Sequence, residues 1–245
     1  MEDILPKIRS AFGNWRPGDI PEKNLHDVDR REDVEIYLID RPDSEQSILF
    51  AGHIAPPKAN PDEVAIEAVN DVLGGMTTSR INMNLREDKG WSYGAGTGLI
   101  NARGQRFFYV ITSVQTDKTS ESIAEAMKEV RAIIGDDPIT AAELEKSIKN
   151  NSLSLAGRWE TAGSVLGSLS QIVQYGLPDD YWVEYPKKVA NLSVERVNEV
   201  SRDLVQPGSL VWVVVGDRDK IAGDLDELGY GDVRVIDADG NLLEQ

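Results

Sequence analysis

The chain reads as an α+β domain in which a mostly antiparallel sheet carries helices packed on one face, and three features of the sequence predict it. Strand-like runs arrive as neighbouring pairs rather than alternating singly with helices. Helical periodicity then fills about residues 118–205. Finally the period reverts to an uninterrupted apolar run, LVWVVV at 210–215, closed by Gly216-Asp217.

The elements follow in order. Ile4, Leu5, Ile8 and Phe12 recur at helical spacing and stop at Gly13, which predicts a short amphipathic helix. Pro17, Gly18 and Pro21 then break any regular element, so residues 16–33 are expected to be a surface connector. VEIYLID at 34–40 and QSILFAGHI at 46–54 are strand candidates, and the turn-like Arg41-Pro42-Asp43-Ser44 between them suggests a hairpin. Val64, Ala65, Ala68, Val69, Val72 and Leu73 form an apolar helical stripe ending at Gly74-Gly75, and a second short helix is expected over about 78–88. Two strands at about 91–101 and 106–115 flank the turn Ala102-Arg103-Gly104-Gln105. Helices are expected at about 118–134, 140–156, 161–175, 179–189 and 193–205, and after the apolar strand a last one at about 219–228 leads to VRVID. One internal echo is visible: LPKIRSAFGNW near the start and KIAGDLDELGYGD near the end each pair a short helix with a glycine and an aromatic residue.

Composition narrows the function classes. The 245 residues are 40% hydrophobic and 28% charged, enough for a sizeable core, and no run approaches the roughly 20 apolar residues of a membrane span. The first fifteen residues lack the apolar core of a secretory signal. Forty-two acidic against 26 basic side chains, a net charge of −16, would repel a phosphate backbone, so nucleic acid is not an expected partner. The absence of cysteine excludes disulfides, thiolate nucleophiles and thiolate-ligated metals, and leaves the compartment open between cytoplasm and periplasm.

Several chemistries fail on residue grounds. His26 and His53 are the two histidines, and neither belongs to a His-x-x-Glu-His helix, so no catalytic metal is expected in this chain. Gly94-Ala95-Gly96-Thr97-Gly98 lies in a strand-like run without a following helix to receive phosphate, so close backbone packing explains it better than nucleotide binding. Gly74-Gly75-Met76-Thr77-Thr78-Ser79 lacks a nucleotide loop's lysine and reads as a helix stop and restart.

What remains is the run from Leu73 to Gly94: a Leu-Gly-Gly turn, Ser79-Arg80, the helix end Leu85-Arg86-Glu87, then Gly90-Trp91-Ser92-Tyr93. In this order and spacing it resembles the C-terminal, non-zinc-binding domain of the insulinase/pitrilysin family of zinc peptidases, the mitochondrial-processing-peptidase-like group. Arg41-Pro42, Gln46-Ser47, Gly52-His53, Val114-Gln115-Thr116, Gly176-Leu177-Pro178 and Val215-Gly216-Asp217 extend the likeness along most of the chain.

That resemblance implies two similar α+β domains enclosing a peptide chamber. Residues 1–15 would be the closing helix of a preceding domain, 16–33 a linker and 34–245 the C-terminal domain. No cofactor is expected here; zinc would sit in a partner domain or subunit that hydrolyses the peptide, and a dimer is among the assemblies this allows. Matched residue by residue, the family's arginine is Arg86 and its tyrosine Tyr93, as catalytic and substrate-binding groups. A guanidinium offers planar donors to a substrate carbonyl, and a phenol can donate to an oxyanion. The competing reading has Arg86 neutralising its helix C-terminus and Tyr93 packing on the sheet. Arg80 and Arg158 are rival arginines expected in structural salt bridges or on solvated helix faces, and Tyr175, Tyr181, Trp182 and Tyr185 are expected to pack helices together. A structural, scaffolding subunit of the same fold, like the related core proteins of respiratory complexes, is the alternative function.

Overall fold

The computed structural model describes residues 2–19, 21–22 and 26–243; positions 20 and 23–25 of the expected connector, and 1, 244 and 245 at the ends of the expected units, lie outside the described residues. Helix α1 (Ile4–Phe12) comes first, followed by strands β1 (Glu35–Asp40) and β2 (Gln46–Ala55). Helix α2 (Glu63–Asn70) runs into a π-helical turn at Asp71–Gly75, and α3 (Arg80–Asn82) into another at Met83–Asp88. Strands β3 (Ser92–Ile100) and β4 (Arg106–Gln115) precede helices α4 (Thr119–Ala132), α5 (Ala141–Arg158), α6 (Ala162–Tyr175), α7 (Tyr181–Ala190) and α8 (Val194–Leu204). Strand β5 (Val211–Gly216), helix α9 (Arg218–Glu227) and strand β6 (Val233–Ile236) complete the order.

Local chemistry sets these boundaries. Thr140 caps α5 in a reciprocal box with Glu143, Thr161 and Ser193 accept first-turn N–H groups of α6 and α8, and Gly176 ends α6 in the left-handed region at φ 69°.

The strands form one sheet in the order β3-β4-β2-β5-β1-β6. Three of the five pairings among the described strands are antiparallel; β1 runs parallel to both β5 and β6. The expected β1–β2 hairpin is therefore wrong, because β5 lies between the two. The reason is in β5 itself: VWVVV is apolar on both faces, so it gains most in a central slot, and the turn after β1 steps over it rather than reversing. Alternate residues of the central strands, among them Leu38, Leu49, Phe108, Trp212 and Val214, are buried under the helices and form the main core with α2, α4 and α8. A smaller cluster around Tyr181, Tyr185 and Val189 packs α7 against its neighbours.

Candidate functional site

Strand β3 is one of the two edge strands of the described sheet, and the sequence-predicted residues flank the turn into it, Arg86 on the helical segment before it and Tyr93 at the start of the strand. The π-helical segment before it is fixed by the buried Leu85 and by Asn84, whose amide donates to Glu125 at 2.8 Å and Glu129 at 2.7 Å on α4. Asn84's hydrogen bond is the first cause holding the Glu125 carboxyl below its usual range, against its burial. Gly90 then takes φ +66°, and the Trp91 N–H donates back to the Leu85 carbonyl at 3.0 Å, closing the turn. Trp91 is half-buried under the ammonium groups of Lys89 and Lys118.

The start of β3 is irregular: its register with β4 shifts between Ser92 and Ala95. Ser92 Oγ accepts from the Gly94 N–H at 3.0 Å and lies 2.8 Å from both the Gly94 carbonyl and Thr112 Oγ1, while Thr112 also donates to Gly94 at 3.1 Å. The buried Asn82 accepts from the Ala95 N–H at 3.1 Å and donates to Thr77. Tyr93 stands on this irregularity with 90% of its surface exposed. It does not pack on the sheet, so that reading fails. Arg86 is half-exposed in the last turn of its helix and pairs loosely with Glu87 at 3.4 Å. Among the described residues no hydrogen bond or cation–π contact joins Arg86 to Tyr93, so the turn presents both to solvent without bringing them together. Ser92, Asn82 and Thr112 escaped the sequence reading, because no linear spacing links a helix asparagine, a bulge serine and a β4 threonine.

The other residues singled out are structural. Arg80 donates to Glu143 at 2.7 and 2.8 Å and pairs with Asp137, as expected of a salt-bridge partner. Arg158 stands half-buried over the Trp182 ring at 4.2 Å in a cation–π contact, and among the described residues it makes no ion pair. Tyr181, Trp182 and Tyr185 pack edge-on or tilted with ring centroids 4.9–6.0 Å apart and Trp182 donates to the Ser168 carbonyl of α6, so they do join helices. His53 is buried, and burial drives its pKa down to about 4. Its Nε2 accepts from the Gln206 N–H and its Nδ1 lies 3.0 Å from the Ile54 carbonyl, so neither nitrogen is free for a metal. His26 is exposed in the connector. Among the described residues, no group of three or more His, Asp or Glu side chains could hold a metal ion. Two glycines of the run at 94–98 pack closely as expected, since a Cβ on Gly96 would fall 2.8 Å from the Gly74 carbonyl oxygen and one on Gly98 2.5 Å from the Tyr109 hydroxyl, whereas one on Gly94 meets nothing nearer than 3.9 Å.

One unforeseen polar cavity of about 250 Å³ lies between α2, α5 and the far end of β3. Lys58 bridges Glu63 and Glu67 at 2.7 Å each, Arg106 grips Glu63, and Tyr185 donates to Glu67 at 2.7 Å. Burial opposes the Lys58 charge, but Glu67 and Glu63 overrule it and hold the ammonium above its usual range. Lys58, Glu63, Glu67 and Arg106 are joined by ion pairs, although Arg106 Nε is buried without a hydrogen-bond partner among the described residues, and the cluster is a clasp between strand and helix.

A family model described as the peptidase M16 inactive domain matches residues 2–151. No curated protein sequence matches the chain. Among solved structures, the chain is similar to the peptidase M16 inactive domain from Pseudomonas fluorescens, with TM-score 0.79 at 18% identity over 89% of this chain and 52% of that one. It is similar to a chain of complex III2 from Candida albicans, TM-score 0.70 at 10% identity over 93% and 56%. It is also similar to the periplasmic protease PqqL from Escherichia coli, TM-score 0.70 at 16% identity over 89% and 24%. The chain thus spans about half the length of the first two and a quarter of the third, and at such identities the likeness shows the fold.

Proposed function

This chain belongs to the family of inactive domains of M16 peptidases, and from that premise we propose that it is the substrate-side wall of a peptide chamber completed by a zinc-bearing domain or subunit. Residues 34–245 form the wall, 16–33 link it, and 1–15 close the preceding domain. In support of the last point, α1 buries none of its own residues here.

Metal-bound water and its activation belong to the neighbour. This chain supplies donors. Tyr93 extends its hydroxyl from the edge strand β3, where it can donate to charge developing on a peptide carbonyl, and Arg86 offers permanently charged N–H groups to the same peptide one turn away. The observation that carries this reading is the 90% exposure of Tyr93 on a backbone irregularity held by Ser92, Asn82 and Thr112: an aromatic ring kept in water by built hydrogen bonds.

The test is to reconstitute the chain with its zinc-bearing half and measure peptide turnover for Arg86→Ala and Tyr93→Phe. Loss of a transition-state donor lowers kcat by about 10²–10³. Turnover unchanged in both variants would instead assign the chain a scaffolding role.

A further inference from the structure

The polar cavity between α2, α5 and the far end of β3 is bordered by donors that lack an acceptor. Arg106 Nε, Arg158 Nε and the Tyr181 hydroxyl are buried without a hydrogen-bond partner among the described residues. The two arginines line the cavity, and Tyr181 stands in the field of its charges, those of Glu67, Lys58, Glu63 and Arg158. Buried polar groups are hydrogen-bonded as a rule, so three orphans gathered at one space of about 250 Å³ mark a place for a ligand with acceptor oxygens.

The charges on the cavity wall are unevenly matched. Lys58, Glu63, Glu67 and Arg106 pair with one another, but Arg158 and Asp71 enter no ion pair among the described residues. Beyond its packing on Trp182, Arg158 keeps its donors, because an aromatic face holds a guanidinium in place without occupying its N–H groups. Asp71 accepts from Ser147 and Asn151 at 2.8 Å each, and both bonds fall on Oδ2, which leaves Oδ1 without a donor. Burial raises the Asp71 pKa against those two bonds, as expected of a carboxylate short of a cation.

We propose that this cavity binds a small zwitterion, an unblocked amino acid or a short peptide, whose carboxylate meets Arg158 and whose ammonium meets Asp71. A free cation and a free anion on the wall of one cavity complement a ligand that carries both charges. A ligand with a single charge would leave one of the two wall groups unmatched. Size agrees with this, since about 250 Å³ lies below the roughly 300–1,000 Å³ of sites for drug-sized molecules. The paired Lys58, Glu63, Glu67 and Arg106 set the far wall, and the exposed Asn101 at the rim leaves the space open to solvent. Recognition therefore falls to the two charges that the fold leaves unspent. The inference goes beyond the proposed hydrolytic role and needs neither Arg86 nor Tyr93; Tyr93 stands at the opposite end of β3.

Isothermal titration calorimetry of the chain with L-alanine and with L-alanyl-L-alanine tests it. Saturable binding of at least one of them is expected, and the tighter of the two tells whether a free amino acid or a peptide supplies the zwitterion. Amidating the carboxylate of that ligand, or acetylating its ammonium, should weaken binding by about tenfold or more, the loss of one charge-assisted contact. Arg158→Gln should abolish the penalty for amidation, and Asp71→Asn the penalty for acetylation. Failure of both probes to bind at millimolar concentration overturns the proposal and leaves the cavity to water. Equal affinity for the free and blocked forms overturns it too, as does an Arg158→Gln chain that still prefers the free carboxylate. Should either variant fail to fold, the blocked ligands on the unaltered chain still decide.

Discussion

Arg106 of β4 grips Glu63 of α2 through both terminal nitrogens, with side chains only 1% and 3% exposed, and Nη1 shares its donors between Glu63 and Asn101 at 2.9 Å each. Removing Arg106 leaves the buried Glu63 carboxylate with Lys58 as its remaining cationic partner among the described residues. Arg106→Met is therefore expected to destabilise the domain by about 3 kcal/mol. Arg106→Met/Glu63→Met should recover part of that loss, because no carboxylate is left without its guanidinium. Urea denaturation followed by Trp fluorescence measures both; a double variant weaker than the single one would contradict the account.

Acid should weaken the fold through His53. Its pKa falls from 6.5 to about 4 because burial penalises the imidazolium, and protonation would also turn Nε2 from acceptor to donor against the Gln206 N–H. A depressed folded-state pKa means the contribution is present above about pH 6.5 and is lost as pH falls through 4. Linkage puts that loss at about 3 kcal/mol by pH 4. His53→Phe keeps a ring on Phe108, now 4.9 Å away, and removes the titration. It should lower stability at neutral pH yet flatten the slope between pH 6.5 and 4.

Much of this is legible in the linear sequence. Periodicity locates α2, α4, α8 and β5 because each has one dominant apolar pattern, and the Leu-Gly-Gly and Gly-Trp-Ser-Tyr spacings lead to the turn that bears Arg86 and Tyr93. The position of β5 between β1 and β2 is hidden because strand order depends on which strand needs burial on both faces, and that is a contest between segments near opposite ends of the chain. The charged clasp is hidden for the same reason: Lys58, Glu63, Glu67 and Arg106 look like solvated charges one at a time, and only the meeting of α2 with β4 buries them. Exposure of Tyr93 is likewise unreadable, since it follows from a register shift fixed by Thr112 on another strand.

Gly74 and Thr97 approach so closely that helix and strand backbones touch, and Thr97 Oγ1 donates to Asn70 Oδ1 at 2.9 Å across the contact. A methyl group at Gly74 meets the Thr97 backbone, which cannot swing aside as a flexible side chain would. Gly74→Ala should cost about 2–3 kcal/mol by overpacking. Gly167→Ala, with nothing within 4 Å of its new Cβ, should by contrast leave the domain as stable or slightly more so. Thermal melts of the two variants should separate in opposite directions.

Thr112 offers a way to separate aiming Tyr93 from using it. Its hydroxyl binds Ser92 Oγ and the Gly94 carbonyl on either side of Tyr93, and it is buried, so it cannot touch a peptide itself. Thr112→Val keeps the shape and β-propensity of the residue and deletes only those bonds. The bulge is then free to relax, and misplacement of a donor by about 1 Å can cost up to about 10² in rate, so turnover in the reconstituted peptidase should fall by about tenfold or more with little change in KM. Thr112→Ser restores the hydroxyl and should restore kcat, whereas a purely structural threonine would be rescued by neither hydroxyl nor shape in kcat alone. Adding Tyr93→Phe to Thr112→Val should lower kcat little further, because the hydroxyl is already misplaced. Full additivity of the two losses would mean that Thr112 acts independently of Tyr93.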